Sequence, residues 1–205
     1  GAIRQVASRA YELCPEILND ARRAPWSVDV YPTGNGLGAE LRPRLYPDPR
    51  MFYRTDDVEA ASHPPLAACM ARLAGRQKDE AVWDPFCGAG LEVVECARRG
   101  GVTRMYGTDV SREAVGIAEA NVAAAKLAGV KAKFACCDFR DQAAMLGVGA
   151  GSVTLVVTNP PMGRRVRVPG LRRMFEDLLE TAATVLKPGG RLVFANPLTL
   201  EPKDG

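Results

Sequence analysis

The stretch from Ala81 to Ala97, "AVWDPFCGAGLEVVECA", decides how this chain is read. A short apolar run ends on Asp84, two glycines follow at Gly88 and Gly90, and an apolar segment of helical character starts at once. That order describes a strand turning sharply into a helix. Glycines allow a tight turn and a close ligand approach, while the first N–H groups of the helix are free to face an anion. A dinucleotide fingerprint would place a third glycine where Val93 stands, so that motif is incomplete. Asp84 precedes the glycines, where a carboxylate would repel a pyrophosphate but attract an amino group.

Outward from this turn, strand and helix signals alternate. Strands read at "AVWDPF", "RMYGTDV", "KFACCDF", "VTLVVTN" and "RLVFANP", with helices near 91–99, 112–127, 171–186 and a weaker one near 141–146. Such an order predicts an α/β fold, a parallel sheet with helices on both faces. Ligands of such sheets bind at the carboxyl ends of the strands. Upstream, "LAACMARLAG" after His63-Pro64-Pro65 reads as a short helix stopping at Gly75. Ile3, Val6, Ala10, Leu13 and Ile17 recur at helical spacing up to Arg23, with Pro25 closing the helix. "WSVDVYP" and "AELRPRLYP" flank "TGNGLG" as a hairpin would, and "PDPRMFYR" reads as a linker. The expected division is therefore 1–57, an N-terminal helix and hairpin extension, and 58–205, the ligand-binding domain.

Bulk composition limits the function classes. The chain has 205 residues, 47% hydrophobic and 25% charged, and no apolar run long enough to span a membrane. No signal-peptide pattern opens it. Six cysteines without a C-x-x-C pair, and His63 as the single histidine, predict no metal site and reduced thiols of a cytoplasmic protein. The net charge is +3, and arginine outnumbers lysine 21 to 6, a bias that suits phosphate recognition but that a GC-rich genome would also produce.

Two further strand ends complete a pattern. Asp109 in "GTDVS" lies 19 residues beyond Gly90, where an acid can accept both hydroxyls of a ribose. Helix capping is the plainer role, but Ser111 is better placed to cap a helix starting at Arg112. In "CCDF", Asp138 can accept from an adenine amino group and Phe139 can flank the base, although an acid after a strand is more often a cap. Together the three ends suit a nucleoside joined to an amino acid, the description of S-adenosylmethionine.

With "DPFCGAG", "GTDVS", "CCDF" and "TNPPMG" in this order and spacing, the chain resembles the class I, Rossmann-like methyltransferases over about residues 60–205. "HPPLAACMARL" and "NPPMGRRV" narrow the resemblance to the THUMP-associated RNA (guanine-N2) methyltransferases, the UPF0020-like RNA methylase domain. The resemblance implies S-adenosyl-L-methionine as cofactor, held by Asp84, Phe86, Cys87, Gly88, Gly90, Asp109, Val110, Asp138, Phe139 and Asn159. It implies that His63 and the residues after it shape the cofactor's methionine end, although a lone histidine is more often a packing residue. It implies RNA, tRNA or rRNA, as the partner, with no membrane and no metal involved. No THUMP module is legible in the first 60 residues. The sheet is expected to stop after its fifth strand, with the N-terminal segment, a dimer partner or further C-terminal strands covering 191–196.

Asn159, Pro160, Pro161 and Met162 are the catalytic candidates. The lone pair of a base amine is delocalised into the ring, so methylation needs acceptors that draw the nitrogen toward tetrahedral geometry. An Asn side-chain oxygen and the following backbone carbonyl are such acceptors, and prolines fix φ and bring no competing N–H. An aromatic residue follows the prolines in the resembled families; Met162 stands there, whose thioether can also contact a ring face. Arg164, Arg165, Arg167, Arg172 and Arg173 come directly after, with no acid before Glu176, and are read as RNA phosphate contacts rather than a solvated loop. Base-amine methylation, most simply at guanosine N2, competes with DNA adenine-N6 or protein glutamine methylation, which use similar motifs. A non-catalytic RNA-binding subunit of the same fold is the third reading.

Overall fold

The computed structural model describes residues 2–16, 24–43, 52–58, 62–162 and 170–196. The chain divides into two compact units, Gly1–Pro49 and Arg50–Gly205. The first holds helix α1, Ala2–Leu13, and an antiparallel hairpin of β1, Trp26–Thr33, and β2, Gly36–Pro43. The helix expected to run to Arg23 ends at Leu13, because Pro15 disfavours helical geometry at Cys14; residues 17–23 lie outside the described ones. Thr33 pairs with Gly36 across a two-residue loop, and almost every strand residue is exposed on both faces.

The second unit is built on a parallel five-stranded sheet. Its elements run α2, Pro64–Ala74; β3, Glu80–Asp84; α3, Leu91–Arg98; β4, Val102–Asp109; α4, Arg112–Ala124; β5, Lys131–Cys136; α5, Gln142–Leu146; β6, Val153–Thr158; α6, Leu171–Val185; β7, Leu186–Phe194. The strand order is β5-β4-β3-β6-β7, with every pairing parallel. The chain therefore leaves β3 toward one edge and returns on the other side at β6. The crevice between their carboxyl ends is the topological switch point, where such sheets bind ligands.

Helices cover both faces because the central strands are apolar on both. Ala81 and Trp83 of β3 pack toward Phe175, Leu178 and Ala182 of α6. Val82, with Leu155 and Val157 of β6, packs on the other side against Met70 and Ala71 of α2 and Val93 and Cys96 of α3. Each fully buried Val, Leu, Met or Phe side chain contributes ~1.5–3 kcal/mol. Thr154 interrupts the alternation: its hydroxyl accepts from Ala81 N at 3.1 Å and donates to Ala81 O at 3.2 Å.

Two expectations change. Strand five was read from Arg191, but β7 starts at Leu186, directly after α6. The partners of β6 jump from Leu186 to Arg191, so "KPGG" forms an irregularity inside the strand. The sequence groups residues 52–57 with the N-terminal extension. Tyr53 is instead fully buried in the second unit, donating from Oη to Glu95 at 2.7 Å. Thr55 N donates to Asn121 Oδ1 of α4 at 2.8 Å.

Candidate active site

Asp84 ends β3 at the switch point with no solvent exposure. Its Oδ1 accepts from Phe86 N at 3.0 Å, which turns the chain out of the strand. Burial, and then Glu92 beside it, pushes the Asp84 carboxyl well above the usual carboxylate range. Thr158, at the end of β6, opposes that shift, yet neither Asp84 Oδ2 nor Thr158 Oγ1 reaches hydrogen-bonding geometry. Asp84 Oδ2 is a buried acceptor with no partner among the described residues.

The glycine-rich turn is held close to β4. Cys87 N donates to Thr108 O at 2.9 Å, and Gly90 adopts φ +78°, where a Cβ would press on Ala118 of α4. The Cys87 thiol is buried, and burial followed by Asp84 raises its pKa far above the ordinary value. Asp109 braces the same turn: Oδ2 accepts from Gly88 N at 3.0 Å and Oδ1 from Ser111 N at 2.9 Å. Ser111 caps α4 through Ala114 N, as its position suggested. A carboxylate has about four lone-pair sites, so Asp109 keeps acceptors for hydroxyl groups. Val110 beside it is 75% exposed.

At β5, Asp138 takes the cap role that competed with base recognition. Its Oδ1 accepts from Arg140 N at 2.9 Å, and its Oδ2 pairs with the Arg140 guanidinium at 2.7 Å. The Phe139 ring, expected to flank a base, is 3% exposed and packs 5.0 Å from Phe86, with Arg140 over it at 4.6 Å. That ring is committed to the core, because the short 3-10 turn Phe139–Asp141 rolls it inward.

Asn159 follows β6 directly. Its Nδ2 donates to Ser62 Oγ at 2.9 Å, while its Oδ1 is shielded from solvent and has no partner among the described residues. Pro160 is buried, and Pro161 and Met162 are half-buried. Ser62 donates in turn to Glu92 Oε1. Asp84, Glu92, Ser62 and Asn159 thus line up around the switch point, a carboxylate-rich floor where Asp84 Oδ2 and Asn159 Oδ1 are unpartnered among the described residues. The arrangement can receive cationic and N–H donor groups; among the described residues no cluster could hold a metal ion.

The UPF0020 family model, described as RMKL-like, methyltransferase domain, matches residues 52–204. The chain belongs to that family. This UPF0020 chain is 30% identical over 202 residues to the tRNA (guanine(6)-N2)-methyltransferase of Thermus thermophilus, covering 98% of the chain and 56% of that relative. It is 28% identical to the tRNA (guanine(10)-N2)-dimethyltransferase of Methanothermobacter thermautotrophicus, over 67% of the chain and 39% of the relative. The crystal structure of TrmN from Thermus thermophilus superposes with a TM-score of 0.68 at 25% identity, over 93% of this chain and 55% of that one. The chain spans about half or less of the length of these relatives.

Within this UPF0020 fold, the sequence-read residues Asp84, Phe86, Cys87, Gly88, Gly90, Asp109 and Asn159 gather at one end of the sheet. His63 does not join them; its side chain is exposed at the start of α2, and its neighbour Ser62 points inward instead. Arg164, Arg165 and Arg167 lie outside the described residues. Arg172 is exposed and makes no ion pair among the described residues. Arg173, read as unpartnered, pairs with Asp177 one helical turn on at 2.8 Å; the i,i+4 spacing on α6 brings the acid back to it.

Sequence reasoning missed Ser62, Glu92, Asn121 and Thr158. Asn121 is fully buried, donating to Ala89 O at 2.9 Å and accepting from Thr55 N, so it ties the glycine-rich turn to residues 55–56. The available signal was a polar residue inside an apolar helix, visible for Glu92 and Asn121. No helix of the described residues is long and apolar enough to cross a membrane.

Proposed function

We propose that this chain carries the catalytic domain of an S-adenosylmethionine-dependent RNA methyltransferase acting on N2 of guanosine in tRNA. The observation that carries the reading is Asn159 Oδ1, a shielded acceptor without a partner among the described residues, one residue past a central strand and beside the cofactor-type turn of β3. Buried polar atoms of native proteins are nearly always paired, so an orphan at a strand end points to a ligand donor. The names of the relatives, guanine-N2 methyltransferases of tRNA, support the choice of amine.

The residues fit S-adenosylmethionine. Asp84 Oδ2 is a buried acceptor unpaired among the described residues and suited to an ammonium, the glycine-rich turn gives close backbone approach, and Asp109 retains lone pairs for ribose hydroxyls. When bound, the cofactor supplies an electrophilic methyl on a sulfonium. Asn159 Oδ1 accepts one hydrogen of the guanine amine, and the backbone carbonyl following Asn159 accepts the other. This holds the nitrogen pyramidal, with its lone pair directed away from the ring. Pro160 and Pro161 keep that backbone from rearranging. Met162 takes the position of a ring-contacting residue, and Arg164, Arg165, Arg167 and Arg172 are the proposed phosphate contacts.

Asn159→Ala is expected to slow single-turnover methyl transfer to unmodified tRNA transcripts by roughly a hundred- to thousandfold, the effect of one preorganised polar group. Calorimetric S-adenosylmethionine affinity should stay nearly constant. Mass spectrometry identifies the product nucleoside: a methyl on adenosine, or wild-type rates in the variant, would sink the reading.

A further inference from the structure

Among the described residues Asn159 has a partner for its amide nitrogen and none for its oxygen, and what sets that asymmetry lies outside the Asn-Pro-Pro stretch. Ser62 sits ahead of α2 and Glu92 is the second residue of α3, with 8% and 2% exposure. Ser62 Oγ accepts from Asn159 Nδ2 at 2.9 Å and donates to Glu92 Oε1. A hydroxyl owns one proton to donate, and here Glu92 Oε1 receives it. With that proton given to Glu92, Ser62 offers only lone pairs to Asn159. The amide must then face Ser62 with its nitrogen and present its oxygen to the other side.

We propose that Ser62 and Glu92 are positioning residues that fix the orientation of the Asn159 amide, so that Oδ1 rather than Nδ2 meets the amine to be methylated. This rests on Asn159 receiving that amine, as proposed above. The oxygen and nitrogen ends of a primary amide are nearly equal in size, so packing cannot tell them apart; only a hydrogen-bond partner of fixed polarity can. Reversed, the amide would turn two N–H donors toward an amine that needs acceptors.

Glu92 is hard to explain otherwise. Residues Leu91–Ala97 of α3 are all buried, and a carboxylate there is costly unless it is paired. Its side-chain hydrogen bond comes from Ser62, and its effect on Asp84 is to raise that carboxyl further, so Asp84 is no compensating partner. An apolar residue would fill this helix position at lower cost, which argues that the polarity of the contact is what is kept. Because α3 follows the glycine-rich turn directly, the relay also joins the cofactor side of the pocket to the acceptor side.

The test compares Ser62→Ala, Ser62→Thr, Glu92→Gln and Asn159→Ala in the full chain, at saturating S-adenosylmethionine, in single turnovers on unmodified tRNA transcripts. Ser62→Ala should lose about ten- to hundredfold in rate, the effect of one charge-assisted hydrogen bond, with cofactor affinity held within about twofold. Ser62→Thr, which keeps the hydroxyl, should recover most of the rate. Glu92→Gln, whose amide can donate as well as accept, should fall between. Ser62→Ala combined with Asn159→Ala should be no slower than Asn159→Ala alone, as for groups acting through one atom. Side-chain amide NMR reads the orientation without substrate: the Asn159 NH2 pair should exchange slowly in the wild type and faster in Ser62→Ala and Glu92→Gln. Wild-type transfer by Ser62→Ala, additive losses in the double variant, or an unchanged NH2 signal would overturn the relay while a crippled Asn159→Ala left the proposed function standing. A fully active Asn159→Ala would remove both.

Discussion

At the scale of single residues, two buried carboxylates, Asp84 and Glu92, lie side by side at the switch point. Asp84 is held above the usual range by burial and by Glu92, and Glu92 by burial, with Ser62 opposing. A folded-state pKa above the unfolded value of ~4 means that the folded protein binds more protons across that window. The stabilising contribution is complete below the unfolded pKa and is lost as pH rises through the folded one. The thermal midpoint of the ligand-free wild type, relative to Asp84→Asn, should therefore fall as pH climbs from about 4 toward neutrality. If Asp84 meets the cofactor ammonium, added S-adenosylmethionine should offset that fall, and affinity should rise with pH over the same window. Thermal scans that run parallel for both proteins at every pH would contradict this. Asp109 is the second residue-scale case. Asp109→Ala is expected to lose ~1.5–3 kcal/mol of cofactor affinity in calorimetry, the scale of hydrogen bonds to a charged group; unchanged binding by a folded variant would take Asp109 out of the ribose role.

At the scale of elements, the pocket depends on how tightly β4 approaches the glycine-rich turn. A Cβ on Gly107 would lie 2.4 Å from the Phe134 ring and 2.9 Å from Cys87 Cβ. Phe134 belongs to β5 and Cys87 to the turn, so one missing side chain lets three elements meet. Gly107→Ala should destabilise the protein by about 1–3 kcal/mol, the usual effect of overpacking a tight site, and should displace the turn enough to weaken cofactor binding. Urea unfolding measures the first effect and calorimetry the second; a neutral Gly107→Ala would show that the turn has slack. The start of β7 teaches the complementary lesson. α6 ends at Val185, ahead of Pro188-Gly189-Gly190, and the chain is already in the sheet at Leu186.

At the scale of the whole molecule, every residue assigned to the pocket and all three apolar clusters lie in Arg50–Gly205. The hairpin of the other unit exposes Trp26, Val28, Val30, Leu37 and Leu41, and two strands without a buried face are marginal on their own. A fragment spanning residues 50–205 should unfold cooperatively and bind S-adenosylmethionine with the affinity of the full chain, whereas residues 1–49 alone should show no cooperative transition. Circular dichroism and calorimetry of the two pieces check this, and a tenfold loss of affinity in the longer one would mean that the first unit contributes to the site.

What the amino-acid sequence determined by itself was the order of strands and helices and the turn chemistry between them. Periodicity and glycine placement are local, so "DPFCGAG", "GTDVS" and "TNPP" could be assigned to strand ends without knowing where those ends meet. Ser111 as a cap was legible for the same reason: its partner is Ala114, three residues on. The tertiary structure alone decided the partners at long range. Asn159 finds Ser62 at a separation of 97 residues, Ser62 finds Glu92 at 30, and Asn121 finds Thr55 at 66. Phe139 could be read as an apolar ring, but whether it faced a ligand or the core depended on how the turn after β5 rolled it against Phe86. A side chain's type is written in the chain. The polarity of its surroundings, and hence the pKa of Asp84 or the free end of the Asn159 amide, exists only once distant segments have packed.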